Sequence, residues 1–241
     1  MKNIKGIILA GGTGTRLQPL TMVTNKHLLP IGNEPMIHYP IKKLVEAGVN
    51  NIMIVTGADH SGAMMALLGS GKKYGCTFTY KVQDEPDGIA GALSLCRDFV
   101  GNSNCVVILG DNIFKDNLRE HVDSFLKNQK GCSLFFKKVH NPKRYGVGVF
   151  NENHLIAVEE KPLNPKTNLA CVGIYLYSSE VFEIISDINP SDRGEYEISS
   201  VNNVFIDRGD CDYYILEDLW VDAGTMNSYH KTNWIMHEET K

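Results

Sequence analysis

The chain has 241 residues, with 28 acidic and 24 basic side chains, and its formal net charge at pH 7 is −4. This length is ample for a substantial hydrophobic core. The slightly acidic balance, without a block of lysine and arginine, argues against nucleic acid as a main partner. No apolar run is as long as a membrane span, so we expect no membrane partner.

The six cysteines are scattered along the chain without a C-x-x-C motif. Several of them, such as Cys105 and Cys171, lie beside apolar runs. This pattern favours reduced, mostly buried thiols over a disulfide framework or a zinc site. The first six residues also lack the apolar core of a signal peptide. We therefore expect a cytoplasmic protein.

The first predicted element is a buried strand that ends in a glycine-rich turn. The segment from Ile4 to Leu9 is apolar and too short for a helix, and glycine occupies three of the four positions 11 to 14. Without Cβ atoms, main-chain N–H groups can approach a charged ligand closely. Thr15 and Arg16 add donors that suit phosphate. The pattern favours a phosphate-binding loop over a tight turn without a ligand.

This loop differs from two better-known phosphate loops. No Gly-Lys-Ser/Thr sequence closes it, so it is not a Walker loop, and Leu17 stands where a dinucleotide fingerprint has its third glycine. Lys26 follows shortly afterwards, directly before an apolar segment, and is a candidate second phosphate ligand.

The next elements alternate between helix and strand. Pro35 suits the first turn of a helix that runs to Gly48, and Pro40 predicts a kink in it. The following segments predict strand, short helix and strand, respectively: Asn51–Thr56, Gly62–Leu68 and Phe78–Val82. The last strand leads into a turn and another helix, which Asp87 could cap. In that turn, Gln83 and the main chain at Gly88 could read the edge of a planar base.

A fourth buried strand, Cys105–Leu109, leads directly into Asp111. A carboxylate at the carboxyl end of a central strand is where α/β sheets carry out metal–phosphate chemistry. The other interpretation is a cap for the amphipathic helix that begins near Leu118. Asp111 lies a few residues too early for that role, so we favour a metal ligand.

Alternating strands and helices predict an α/β fold with a Rossmann-like open, mostly parallel sheet flanked by helices. The second half has fewer helices, and we expect it to extend this sheet into a mixed one with a small hairpin-rich lid. Five strands are predicted there: Ser133–Lys138, Gly146–Phe150, Leu155–Glu160, Cys171–Tyr177 and Asp212–Leu216. The segment from Met226 to Lys241 is predicted to be helical.

Five short motifs, in this order, resemble those of the sugar-phosphate nucleotidyltransferases, and the thymidylyltransferases among them most closely. The resemblance extends from Lys5 to about Tyr229. It rests on the segments Leu9–Leu17, Lys26–Pro30, Gly110–Phe114, Glu160–Pro162 and Trp220–Thr225. Each motif is moderately specific, whereas five in the right order are highly specific.

The resemblance implies an enzyme of deoxysugar biosynthesis, for example toward rhamnose, that joins dTTP to α-D-glucose 1-phosphate and releases pyrophosphate. It implies a homo-oligomer and a single domain, 1–241, with a nucleotide-binding half (about 1–130) and a sugar-binding half (131–241). Arg16 and Lys26 would be catalytic, and Asp111 and Asp222 would bind Mg²⁺. The implied nucleotide-binding residues are Leu9, Gly11, Gly12, Gly14, Thr15, Arg16, Lys26, Gln83, Gly88 and Asp111. The implied sugar-phosphate residues are Asn112, Gly146, Glu160, Lys161 and Val172.

Two departures from the family pattern leave alternatives open. His27 stands where many longer relatives have glutamine, and Gly91 stands where glutamine is common in thymidylyltransferases. The same chemistry with UTP or another hexose 1-phosphate is therefore an alternative. A non-catalytic nucleotide-sugar sensor is another, but the candidate cations and carboxylates are all present. A glycosyltransferase is disfavoured, because its usual D-x-D pair occurs only at Asp210–Asp212, away from the fourth strand.

Overall fold

The structure is a computed structural model that describes residues 4–238. Its strands are β1 Ile4–Ala10, β2 Pro30–Ile31, β3 Glu34–Pro35, β4 Asn51–Gly57, β5 Thr77–Gln83, β6 Asn104–Leu109, β7 Asn112–Phe114, β8 Cys132–Lys138, β9 Gly146–Asn151, β10 His154–Glu160, β11 Leu169–Tyr177, β12 Cys211–Ile215 and β13 Trp220–Asp222. Its α-helices are α1 His38–Glu46, α2 Ser61–Leu68, α3 Ile89–Ser94, α4 Arg97–Val100, α5 Arg119–Asn128, α6 Val181–Asp187, α7 Ile198–Asp207 and α8 Met226–Glu238.

Strands β1, β4, β5 and β6 of the first half form a parallel part of one nine-stranded sheet. Strand β1 lies at its centre, with β4 and then β5 on one side and β6 on the other, and all of these pairs are parallel. The chain therefore moves outward from β1 and then returns to its opposite side. In open α/β sheets this reversal leaves a crevice at the carboxyl ends of the two strands concerned, here β1 and β6.

The second half extends the same sheet into a mixed one, as the sequence predicts, and most of the added pairs are antiparallel. Strand β11 runs antiparallel to β6, and β8, which pairs in parallel with β12, lies against β11. The β9–β10 hairpin joins this sheet through the pair Ala170 and Val147. The hairpin expected as a lid is thus a continuation of the main sheet.

Apolar side chains of β1 alternate between the two faces of the sheet, and each face packs against its own layer of helices. Ile7 and Leu9 face a core shared with α3, α6 and α7, whereas Ile8 and Ala10 face α1, α2 and α5. A third, smaller apolar cluster around Tyr229 joins α8 to the loop after β1. Because both faces are covered, the central strands are buried almost completely.

Four local predictions were wrong or lie outside the described residues. Helix α1 begins at His38, so Pro35 lies in β3, and Pro40 falls in the first turn of the helix, where its missing N–H and fixed φ are tolerated. Asp87 does not cap α3, whose N-cap is Gly88 without a side-chain cap. The last predicted helical residues, 239–241, lie outside the described part of the chain.

A small antiparallel pair that matters for the site is not predictable from the sequence pattern. Strands β7 and β13 have only three residues each, too few for a recognisable period, and they pair Asn112 with Asp222 and Phe114 with Trp220. Within residues 4–238, no helix has both the length and the hydropathy required to cross a bilayer.

Candidate active site

A cleft of ≈ 510 Å³ opens at the carboxyl ends of β1 and β6, where the sheet reverses direction. Its lining brings together residues from the glycine loop, the turn after β5, the turn after β6 and the β9–β10 hairpin. Helices α3 and α7 and strands β11 and β13 also contribute lining residues. This is the position at which open α/β sheets bind their ligands.

The glycine loop places main chain without side chains beside Lys26. A Cβ atom added to Gly12 would lie 3.6 Å from the Lys26 side chain, so the lysine crosses close over the loop. Gly14 has φ 68° and its carbonyl accepts hydrogen bonds from the Thr21 hydroxyl at 2.8 Å and the Leu17 N–H at 2.9 Å. Gly14 thereby turns the chain, which allows Arg16 two residues later to line the cleft.

The two predicted metal ligands converge on one point although 110 residues separate them along the chain. A Cβ atom placed on Gly224 would lie 2.7 Å from Asp222 Oδ1 and 3.0 Å from Asp111 Oδ2. The same position lies 3.3 Å from a terminal nitrogen of Arg16. Two carboxylates and a guanidinium therefore surround a volume that only a glycine leaves open.

The pairing of β7 with β13 explains this convergence. Asp222 lies opposite Asn112, and the Ala223 N–H donates to the Asp111 carbonyl at 2.9 Å. Asn112 is buried and its Oδ1 accepts from Trp220 Nε1 at 2.7 Å and from the Gly173 N–H at 3.2 Å. A buried polar side chain with its partners satisfied holds one arrangement, so Asn112 fixes β13 against the end of β6.

The electrostatics of the two carboxylates differ. Burial opposes ionisation of Asp111, but Lys26, whose ammonium forms an ion pair with it, holds the pKa of that carboxyl below its usual range. Burial and the negative charge of Asp111 raise the pKa of Asp222. Burial and the repulsion between the two carboxylates thus oppose negative charge in the site, and a bound cation would offset both effects.

His27 lies beneath the loop as a neutral side chain. Burial and the neighbouring Lys26 charge lower its pKa to about 3. Its Nδ1 lies 2.7 Å from Asn25 Oδ1, and Asn25 Nδ2 donates to the Ala10 carbonyl at 3.3 Å. Asn25, whose side chain is held by His27, therefore ties the Lys26 segment to the end of β1.

The predicted base readers lie on one wall of the cleft. Gln83 ends β5 and Gly88 precedes α3, and both line the cleft. Gly88 has φ 101°, and a Cβ atom there would lie 2.6 Å from the Tyr196 carbonyl oxygen, so only glycine fits. The Tyr196 N–H in turn donates to the Asp87 carbonyl at 2.8 Å, which fixes this turn against the segment before α7.

The predicted sugar-phosphate residues lie on the opposite wall. Gly146, Glu160 and Lys161 line the cleft, and Lys161 Nζ lies 3.3 Å from Glu160 Oε1. Lys161 has φ 42°, an uncommon conformation for a side chain with a Cβ atom. Its N–H donates to the Tyr145 carbonyl at 3.0 Å, which holds this conformation in place.

Three of the predicted site residues do not line the cleft. Gly14 and Thr15 are absent from the lining, and Thr15 begins a single 3₁₀ turn, Thr15–Leu17. Val172 is fully buried and its side chain packs into the core shared with α1, α2 and α5. Its neighbours Cys171 and Gly173 do line the cleft, because successive side chains of a strand point to opposite faces.

Sequence reasoning missed several residues that line the cleft. Ser199 and Asn202 of α7 are buried and line it, and so does Tyr175 of β11. The signal for the first two was present in the sequence, because they are polar residues on the apolar face of an amphipathic helix. Arg144, just before the hairpin, carried no such signal.

Comparisons with known proteins identify the family of this chain. The nucleotidyl transferase family profile matches residues 5–239. A glucose-1-phosphate thymidylyltransferase of Neisseria meningitidis serogroup A is 40% identical over 232 residues, which are 95% of this chain and 81% of that protein. The low-salt glycan biosynthesis nucleotidyltransferase Agl11 of Haloferax volcanii is 36% identical, over 98% of this chain and 67% of that protein.

Two solved structures share the fold of this chain. A Bacillus anthracis protein assigned as a glucose-1-phosphate thymidylyltransferase, in complex with sucrose, superposes with a TM-score of 0.94 at 48% identity, over 98% of this chain and 96% of that one. A UDP-glucose pyrophosphorylase from Acinetobacter baumannii shares the fold at 19% identity, with a TM-score of 0.83 over 100% of this chain and 97% of that one.

This chain therefore belongs to the nucleotidyl transferase family and is an enzyme of that class.

Proposed function

We propose that this enzyme transfers a thymidylyl group from dTTP to α-D-glucose 1-phosphate and releases pyrophosphate. The convergence of Asp111, Asp222 and Arg16 on one point, with Lys26 paired to Asp111, carries the proposal. The reaction needs positioning and charge neutralisation more than covalent catalysis, and these four side chains provide both kinds of charge at one place.

In this proposal a phosphate oxygen of the sugar phosphate attacks the α-phosphorus of dTTP, and the bond to the β-phosphate oxygen breaks. Arg16 and Lys26 stabilise the negative charge that develops on the α-phosphate and on the leaving pyrophosphate. The nucleophile is already an anion at neutral pH, so the site needs no general base.

Asp111 and Asp222 would hold Mg²⁺. Residues 4–238 contain no cluster of three or more histidine, cysteine or acidic side chains suited to a metal. A pair of carboxylates on one point nevertheless fits, since Mg²⁺ is often bound by one or two carboxylates and completes its shell with water and substrate phosphates. When bound, the ion would polarise phosphoryl oxygens as a Lewis acid.

The two walls of the cleft would hold the two substrates. Gln83 and the main chain at Gly88 would read the base, while the bare loop at Gly11 and Gly12 would lie along the triphosphate. Asn112, Gly146 and Glu160 would contact the sugar, and Lys161 would neutralise its phosphate. Val172 could contribute only through its main chain, because its side chain lies in the core.

A substrate matrix tests this proposal. The four common nucleoside triphosphates and dTTP are each combined with glucose, galactose or mannose 1-phosphate in Mg²⁺ buffer, and pyrophosphate release is measured. We expect the highest kcat/KM with dTTP and glucose 1-phosphate. Clearly higher efficiency with UTP would replace dTTP in the proposal, and no pyrophosphate release with any pair would reject nucleotidyl transfer.

A further inference from the structure

Asp87 holds the amide of Gln83 in a single orientation. Gln83 Nε2 lies 2.8 Å from Asp87 Oδ1, and Gln83 is largely buried at 9% exposure. A glutamine amide can turn either its nitrogen or its oxygen toward a neighbour, but a carboxylate only accepts hydrogen bonds. The nitrogen must therefore face Asp87, and the oxygen must point away from it.

The free oxygen of Gln83 faces the nucleotide side of the cleft. A Cβ atom on Gly11 would lie only 2.4 Å from Gln83 Oε1, so this oxygen lies directly over the bare glycine loop. Within residues 4–238, no main-chain or side-chain group donates a hydrogen bond to Oε1. Gln83 consequently offers an acceptor, and not a donor, to a ligand in the cleft.

Gly91 provides the space that Asp87 needs. A Cβ atom at position 91 would lie 2.3 Å from Asp87 Cγ and 2.4 Å from Oδ2, so any side chain there would displace the carboxylate. The contact between Asp87 and Gln83 therefore depends on a glycine at position 91.

We infer that Asp87 is a positioning residue that selects bases with an imino N–H, thymine or uracil, over cytosine. This inference rests on the proposed function, in which Gln83 reads the base. The N3–H of thymine or uracil can donate to Gln83 Oε1. N3 of cytosine is an acceptor, so it would face another acceptor and leave both without a partner.

The test compares dTTP with dCTP in the wild type and in Asp87→Asn. Asparagine can donate to Gln83 Oε1, which allows the amide to turn over and present its nitrogen to cytosine. We expect the ratio of kcat/KM for dTTP to that for dCTP to fall at least about tenfold, with the value for dCTP rising. Asp84→Asn, an exposed change in the same turn, should leave both values unchanged.

A purely structural role for Asp87 would lower both values together and leave their ratio unchanged, and that result would overturn the inference. Gly91→Ala provides a second variant, since it displaces the carboxylate but keeps its charge, and it should reduce the same ratio. Equilibrium binding of dTTP and dCTP without sugar phosphate separates the two proposals. An enzyme that releases no pyrophosphate but still shows an Asp87-dependent binding preference for dTTP would refute only the proposed function.

Discussion

At the scale of single residues, the site depends on how charge is balanced around Asp111. Its carboxylate is buried, paired with Lys26 and close to a second carboxylate. Replacing either partner leaves the other buried without compensation, which is costly in a medium of low dielectric. The two neighbouring carboxylates therefore favour the binding of a cation. They do not favour the stability of the fold when no cation is bound.

Asp111→Asn removes one negative charge at nearly constant shape. We expect kcat to fall about 100-fold or more, because a metal ligand supplies several kcal/mol of charge stabilisation to the reaction. Steady-state pyrophosphate release in Mg²⁺ buffer measures this. Asp59→Asn, an exposed aspartate outside the residues that line the cleft, is the matched control. Unchanged turnover in Asp111→Asn would show that Asp111 is not a metal ligand.

The lowered pKa of His27 predicts that the free energy of unfolding depends on pH. Its pKa is about 3 in the folded protein but near 6.5 in an unfolded chain, so between these values the unfolded state binds a proton that the folded state does not. The free energy of unfolding therefore falls as pH falls through this window, by up to about 1.4 kcal/mol per unit from this group. We expect His27→Gln to remove this contribution.

Urea unfolding of the metal-free protein with a chelator, between about pH 4.5 and about pH 6.5, measures the slope for both proteins. Other titrating groups are common to the two, so the difference isolates His27. Equal slopes would show that His27 is not held neutral.

At the scale of elements, two three-residue strands hold Asp111 and Asp222 close together. Strand β13 is bound to β7 by its pairing and by the Trp220 hydrogen bond to Asn112. The turn after β13 contains Gly224, whose N–H donates to Asp222 Oδ1 at 2.8 Å. The turn thus orients one carboxylate and leaves open the point where both meet.

Gly224→Ala places a methyl group at that point. The φ of Gly224 is not positive, so alanine is compatible with the backbone, and the effect should fall on the site. We expect the concentration of Mg²⁺ needed for half-maximal rate to rise about tenfold or more, a loss of about 1.4 kcal/mol. Gly62→Ala, where an added Cβ atom meets nothing within 4 Å, is the control. An unaltered Mg²⁺ requirement would mean that the ion binds elsewhere.

At the scale of the whole molecule, the parts that sequence could predict are those with a local physical signature. Buried strands, the glycine loop and Asp111 all carry such signatures. The position of Val172 was not predictable from the motif alone, because which face of β11 its side chain occupies depends on register within the sheet. The meeting of Asp111 and Asp222 came from the resemblance, since no local pattern links residues so far apart. Subunit association and the division into two functional halves stay predictions.

The central claim is that one divalent cation is held between Asp111 and Asp222 beside a triphosphate on the glycine loop. The most direct measurement is anomalous diffraction from crystals soaked with Mn²⁺ and a non-hydrolysable dTTP analogue. We expect one strong peak within coordination distance, about 2.1 Å, of both carboxylates, with the triphosphate over Gly11 and Gly12. A peak away from these two aspartates, or a triphosphate bound elsewhere in the cleft, would contradict the account.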